Sequence, residues 1–263
     1  MKKKEIEYVR NHLQEKSVIS RQELLDIIIT SFDGKKIKYA SLYFFDLYRN
    51  NVVYPYYKGL FHICGKRTHF SLWGNIGADF IENLTKIRPS LPILCWNTSI
   101  LNEMMVHQPT KTFTIVETYQ YGIEAVLMAI KHNNNNVILK KDKNNFEKYF
   151  STDSLILVGS MNEDSPMITK IPHSKTFKYI TNESIVKYPK IEKILVDIYC
   201  DDIFDYIDSG EVKHIFNHCF EKYQINLTTL LRYAKSRNKR DELFNYITSI
   251  NFDIEKGEFN YDR

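Results

Sequence analysis

The chain has 263 residues, 43% hydrophobic, 14% aromatic and 26% charged, a globular composition that excludes a disordered or fibrous protein and allows one to three domains. The net charge of +4 is uneven: residues 1–70 carry 13 Lys and Arg against 7 Asp and Glu, whereas the remainder carries 23 against 25. All the excess positive charge therefore sits in the first quarter, as if a basic module were joined to a nearly neutral one. No apolar run approaches the roughly 20 residues that span a bilayer. The start, MKKKEIEYVRNHLQEK, is basic but has no apolar stretch behind it, so no signal peptide and a cytoplasmic location are expected. Cys64, Cys95, Cys200 and Cys219 are scattered without a C-x-x-C, which argues against a zinc ribbon, a redox pair or a disulfide framework.

The first segment, KEIEYVRNHLQEK, puts Ile6, Val9 and Leu13 on one helical stripe. SRQELLDIIIT begins with Ser20 and has Glu23 three positions later, a capping-box signature for a second helix. FDGKK supplies a turn, and the next run places Ala40, Phe44, Leu47 and Tyr48 on one buried helical face. VVYPYY and LFHIC then flank Lys58-Gly59, two β-rich runs around a hairpin turn in which Gly can take positive φ. Helix, helix–turn–helix and hairpin is the order of a winged helix-turn-helix, expected over residues 1–67.

From about Thr68 the pattern changes. LPILCWN, KTFTIVETY, NNVILKK and DSLILVGS read as strands, separated by the helix-like SILNEMMVH, YGIEAVLMAIKH and KNNFEKYF. This alternation predicts an α/β domain over residues 68–181. Residues 182–263 read as a helical C-terminal region packed on that domain, and the fold class expected for the whole chain is mixed α+β and α/β.

Between Lys35 and Arg67 lie seven basic residues and a single acid, Asp46. In a helix-turn-helix the start of the second helix of the motif enters the major groove, and helix N-terminal N–H groups attract phosphate. That position makes Lys35, Lys36, Lys38, Tyr39, Ser41 and Tyr43 candidate DNA contacts, with Tyr57 and Lys58 at the wing tip. The partner expected from this charge and order is duplex DNA; a winged helix that contacts only protein is the blander alternative.

Other constellations carry less. Glu103 and His107 share a helical spacing and Glu117 follows in a strand, a trio that could bind a divalent metal as in a nuclease. VETYQ, however, lacks the acid-x-Lys pattern of the common carboxylate nucleases. Asp197, Asp201, Asp202, Asp205 and Asp208 fit a solvated or partner-facing acidic surface, and RYAKSRNKR a solvated helix end. A Gly-rich phosphate loop, G-x-S-x-G and a Cys–His nucleophile pattern are all missing, so neither catalysis nor a cofactor is expected.

The middle stretch WNTSILNEMMVHQP followed by FTIVET resembles the AbiE-type (AbiEi-like) antitoxins of type IV toxin–antitoxin systems, partners of nucleotidyltransferase-like toxins. Trp96, Thr98, Asn102, Glu103, Met105, His107, Gln108, Pro109 and Glu117 fall at positions corresponding to that motif. RNNVVYPYYKGLFHI, PKIEKILVDIYCD and LLRYAKSRNKR are also similar to family segments. The resemblance implies a non-enzymatic transcriptional autorepressor and antitoxin. It would bind an inverted-repeat operator as two copies and counteract its toxin without necessarily forming a stable complex. No role is implied for Trp96, Asn102, Glu103, His107, Gln108 or Glu117 individually; Asn102, His107 and Gln108 suit groups that satisfy buried backbone where a helix meets the next strand, and a part in toxin neutralisation is the sharper alternative. The third helix carries Tyr39, Leu42 and Tyr43 where relatives have smaller polar residues and a Trp, so the operator sequence does not carry over.

Overall fold

The apolar stripe of the first segment forms the inner face of helix α1 (Lys3–His12): Val9 and Leu13 are fully buried and Ile6 nearly so. In the computed structural model, the residues described are 1, 3–13, 16–31, 40–65, 67–72, 76–87, 91–142, 146, 148–149, 154–168, 186–250 and 252–259. Strand β1 (Val18–Ser20) leads directly into α2 (Arg21–Ser31), and α3 (Ala40–Arg49) precedes the hairpin β2 (Val53–Tyr57) and β3 (Leu60–Ile63). Helix α4 (Ala78–Ile87) opens an α/β run of β4 (Ile93–Asn97), β5 (Phe113–Thr118), α5 (Ile123–Lys131), β6 (Val137–Leu139), β7 (Leu155–Ser160), β8 (Met167–Ile168) and β9 (Val186–Pro189). Four helices follow, α6 (Ile191–Cys200), α7 (Ser209–Lys222), α8 (Leu227–Ser236) and α9 (Arg240–Ser249), and then a short hairpin, β10 (Phe252–Asp253) and β11 (Glu258–Phe259). The fold is mixed α/β, and among the described residues no helix is long and apolar enough to cross a membrane.

The chain divides into two compact units. The first contains residues 1–70, 217–231 and 241–263; the second contains 71–216 and 232–240. The stretch read from sequence as one C-terminal helical region is thus shared between them, and its first part, Val186–Pro189, is a strand.

The first unit is built by local signals that the sequence shows. Ser20 Oγ accepts from Glu23 N–H at 3.2 Å and Glu23 Oε2 accepts from Ser20 N–H at 2.9 Å, the reciprocal cap that starts α2. Lys16 lies 2.7 Å from Glu23, and its hydrogen bond together with those from Ser20 holds that carboxyl down at about 2. At the hairpin turn Lys58 and Gly59 both take positive φ, 41° and 84°, the geometry whose twist matches paired strands. Strand β1 joins this hairpin through β3, giving an antiparallel sheet of order β1-β3-β2. Its core collects Ile6, Val9, Leu13, Ile19, Leu24, Ile28, Leu47, Val52, Val53 and Ile63. The face expected for α3 is buried only in part: Leu47 is fully enclosed and Phe44 half-buried, but Tyr48 is 44% exposed and lies against Tyr54. The turn expected at FDGKK lies outside the described residues.

Arg67, counted above among the cations available to a polyanion, is turned inward. Its guanidinium donates to Phe220 O at 2.7 Å, to Gly257 O at 2.6 Å and to His62 Nδ1 at 3.1 Å, so one side chain ties α7 and the C-terminal hairpin to β3. Gly257 has φ +64°, and a Cβ there would stand 2.5 Å from Val18, so only glycine lets the hairpin close on the sheet. His62 is buried beneath this clamp; burial and the Arg67 cation push its pKa down to about 3, so the ring is neutral and accepts from Arg67.

The sign of the resulting pH effect is fixed. Unfolded His62 takes its proton near 6.5 and the folded ring only near 3, so its contribution to stability is complete above 6.5 and falls as the pH drops toward 3. Urea unfolding should therefore lose at most about 1.4 kcal/mol per pH unit from this group. A His62→Gln variant should show a flatter profile from about pH 6.5 to the carboxylate range near 4.5. An unchanged slope there would count against this account of His62.

Candidate functional site

Of the residues expected to meet DNA, Lys35, Lys36, Lys38 and Tyr39 lie outside the described residues. Ser41 is in the first turn of α3. Tyr43 is half-buried against the core of the first unit, which makes it a packing residue as much as a contact. Tyr57 is half-buried at the end of β2, and the exposed Lys58 holds its ammonium 5.2 Å from the Tyr57 ring centroid. The Lys58 N–H is directed at Thr228 Oγ1, 3.4 Å away. The outer face of α3 presents Leu42 (58% exposed), Phe45 (55% exposed) and Arg49, whose guanidinium lies 5.3 Å from the Phe45 ring centroid. Hairpin tip and helix thus offer two described cations beside a more apolar surface than the sequence reading anticipated.

The segment from Trp96 to Glu117 folds as β4, a 3₁₀ turn over Thr98–Met104 and β5, where the sequence reading expected a helix between the strands. Asn97 caps the turn: its Oδ1 accepts from Ser99 N–H at 2.9 Å, and its amide donates to Thr114 at 2.9 Å, tying the turn to β5. Thr98 Oγ1 accepts from Phe113 N–H at 3.0 Å. Gln108 donates to Asn102 O at 3.0 Å, but this bond is exposed, and His107 Nδ1 meets a carboxylate, so the expected satisfaction of buried backbone by Asn102, His107 and Gln108 is not what the segment shows. His107 meets Glu211 through both its backbone N–H (2.8 Å) and Nδ1 (2.7 Å). Trp96 is buried and stacks on Phe204, and Glu103 is exposed. Glu103, His107 and Glu117 therefore do not form a ligand set, and no group of three His, Cys, Asp or Glu that could hold a metal occurs among the described residues. The metal-nuclease alternative loses its proposed ligands.

Glu117 has other company. It shares a face of β5 with Phe113 and Ile115, so the period of two along a strand drives a carboxylate into the core. Its Oε1 lies 2.5 Å from Lys140 Nζ and its Oε2 2.6 Å from Lys193 Nζ. Lys140 reaches on to Asp201 at 2.7 Å; Asp201 pairs with Arg237; Arg237 reaches Asp197 at 3.3 Å; and Asp197 pairs with Lys193. Three carboxylates and three cations thus alternate in a closed ring, each touching two groups of opposite sign. Tyr233 donates its hydroxyl to Asp197 at 2.9 Å.

Each element contributes for a local reason. Lys140 directly follows β6, and its N–H prolongs the ladder by bonding Val158 O at 2.8 Å. Its side chain then lies across Gly159, where a Cβ would come within 2.9 Å of it. Lys193 and Asp197 stand at i and i+4 on α6, a helix in which every residue from Ile191 to Ile198 is buried, Glu192 included. Arg237 directly follows α8, just before Asn238 turns left-handed with φ 56°. Burial would raise the pKa of Glu117 and Asp201, but the cations beside them hold both low. Burial would lower Lys140 and Lys193, but the flanking carboxylates hold both high. For Asp197 burial wins and pushes the pKa up.

Asp197, Asp201 and the RYAKSRNKR run were read from sequence as solvated charge; Asp197, Asp201 and Arg237 are instead members of this ring, and Lys140 and Lys193 were missed altogether. The available signal was a Lys and an Asp one turn apart inside IEKILVDIYC, where a solvated pair has no place. One side of the ring (Glu117, Lys140, Asp201 and Arg237) floors a cleft of about 1010 Å³ in the second unit. Ile123, Leu127 and Met128 form one apolar wall, and Tyr121, Glu124 and Lys141 also line the cleft.

A family model described as a family of unknown function (DUF6577) matches residues 39–253, which includes α3, the first hairpin, every member of the ring and the whole cleft. No curated protein matches the chain.

Removing one ring member leaves its partners buried and under-compensated, which costs about 3–5 kcal/mol in comparable settings. Lys193→Met should therefore lower the urea unfolding free energy of the second unit by about that amount, and adding Glu117→Gln to it should restore part of the loss. A single-variant cost below about 1 kcal/mol, in the range of exposed pairs, would show that the ring carries little.

Proposed function

The chain belongs to that family of unknown function, and we propose that it is a DNA-binding transcriptional autorepressor and antitoxin of a type IV toxin–antitoxin system. The observation that carries the DNA-binding part is the order α1-β1-α2-α3-β2-β3 closed by an antiparallel β1-β3-β2 sheet, which we read as a winged helix-turn-helix. In this reading α3 is the recognition helix and the Lys58-Gly59 turn is the wing tip. Lys58 and Arg49 are its described cations, and Lys35, Lys36 and Lys38 precede α3 in the sequence. A two-fold inverted repeat would then take two copies of the chain. The antitoxin part rests on the resemblance of the Trp96–Glu117 segment: the chain would oppose a nucleotidyltransferase-like toxin without catalysis of its own.

Leu42 and Phe45 favour a second reading, in which the exposed face of α3 meets protein instead of a groove. One titration separates the two. Fluorescence anisotropy with a labelled duplex from the region upstream of the reading frame should give an affinity that falls steeply with salt. Lys58→Glu should weaken binding on all sequences alike and reduce the slope of log K against log salt by about 1. The double variant Lys36→Glu, Lys38→Glu should reduce it further. Affinity indifferent to salt and to these variants, or no binding, would leave the protein-interaction reading standing. Co-expression with a nucleotidyltransferase-like toxin tests the other half: restored growth supports it, and unrelieved arrest contradicts it.

A further inference from the structure

The cleft above the ion ring stands at one particular edge of its sheet. Strands β6, β7 and β5 are neighbours in that order and run parallel. Leu139, Ser160 and Glu117, each the last or next-to-last residue of its strand, line the cleft, which therefore opens at the carboxyl ends of all three. Open α/β sheets hold their ligands outside this edge. Helix α5, the crossover from β5 to β6, supplies an apolar wall through Ile123, Leu127 and Met128.

Charge does not choose the occupant. On the floor Glu117, Asp201, Lys140 and Arg237 each face two groups of opposite sign, and Asp202 has an interaction of its own. Glu124 and Lys141 remain, one of each sign, so the lining is neutral. What it offers instead is a flat face and groups able to hydrogen-bond. Tyr121 is 76% exposed at the rim and stacks on Tyr119 at 5.8 Å, while Met128 is 67% exposed two turns further on. Gln120 and Ser160, both exposed, bring an amide and a hydroxyl to the same lining.

From this juxtaposition of an exposed aromatic face with hydrogen-bonding groups in a neutral cleft at the carboxyl edge of parallel strands, we infer that the cleft is a binding site for a free nucleoside. A nucleobase is flat and uncharged, and it stacks on an aromatic side chain such as Tyr121. Its edge carries donors and acceptors for Gln120 and Ser160. The ribose diol donates to the Glu124 carboxylate, the use to which an acidic side chain is put at this edge of such sheets. A volume of about 1010 Å³ is ample for base and sugar together. The rival occupants fit less of this. A simple ion meets a floor whose charges are already paired. A lipid tail would cover that polar floor and return no hydrogen bond to it. A nucleic-acid strand would bring several phosphates to a rim whose one unpaired cation, among the described residues, is Lys141. The second unit carries this site whether or not the first binds DNA.

The test uses the full chain labelled at its methionine methyls, with Met128 assigned through a Met128→Leu variant. At least one of adenosine, guanosine, cytidine and uridine should shift the Met128 methyl saturably, whereas ribose and inorganic phosphate should not. For the tightest of the four, Tyr121→Ala should weaken binding about tenfold, the loss of one base–aromatic stack. Its 2′-deoxy form should bind about threefold more weakly, the loss of one hydrogen bond, and in a Glu124→Ala variant the two forms should bind alike. Its 5′-monophosphate should bind within about fivefold of it, because Lys141 adds only an exposed ion pair. Both substituted side chains are exposed, and the remaining methionine methyls report whether the variants stay folded. A Met128 methyl that no nucleoside moves, an equal shift by ribose or phosphate, or full affinity in Tyr121→Ala would overturn the site. A 2′-deoxy penalty unchanged in Glu124→Ala would overturn the place given to the ribose. A monophosphate bound beyond that fivefold, or a trinucleotide bound tighter than the monophosphate, would overturn the free nucleoside as occupant.

Discussion

A carboxylate buried in a sheet is tolerable only if cations are brought to it, and the second unit is organised around meeting that condition at Glu117. The strand pleat points Glu117 into the core. Burying such a charge unpaired costs far more than a domain can spare. Lys140 at the end of β6 and Lys193 in α6 neutralise it, and each of these needs a further carboxylate, found in Asp201 and Asp197. Arg237 at the end of α8 closes the circuit. Four separate segments are thereby obliged to meet in one register. The ring specifies an arrangement more than it adds stability, because a well-packed apolar substitute could be equally stable without choosing among alternatives.

The division of labour between the units follows from where charge is satisfied. In the first unit Arg67 is consumed in clamping the C-terminal hairpin and α7 to β3, while Lys58 stands exposed at a turn tip. In the second unit the ring is neutral within itself, three carboxylates against three cations. The surface left over by these internal networks in the first unit is the outer face of α3 with its hairpin.

Much of the fold was legible. The capping box of Ser20 and Glu23, the Ile6-Val9-Leu13 stripe, the Lys58-Gly59 turn and four apolar strands each announce themselves within a dozen residues, because each depends on near neighbours. Strands β1 and β9 did not, being three and four residues long and formed only by pairing with distant partners. The 3₁₀ turn after β4 was read as a helix because its apolar spacing suits either. The ring was the least legible feature. Composition makes Asp197, Asp201 and Arg237 look like solvated charge, and nothing local to VETYQ reveals that its missing lysines arrive from β6 and α6. Electrostatic partners far apart in sequence are visible only once the chain is folded.

The most direct test of the ring as the organising constraint is hydrogen exchange in a Lys140→Met variant. If the ring couples its segments, protection should fall together in β5, the end of β6, α6 and the end of α8. Loss confined to the amides around residue 140, with α6 and α8 protected as before, would contradict it.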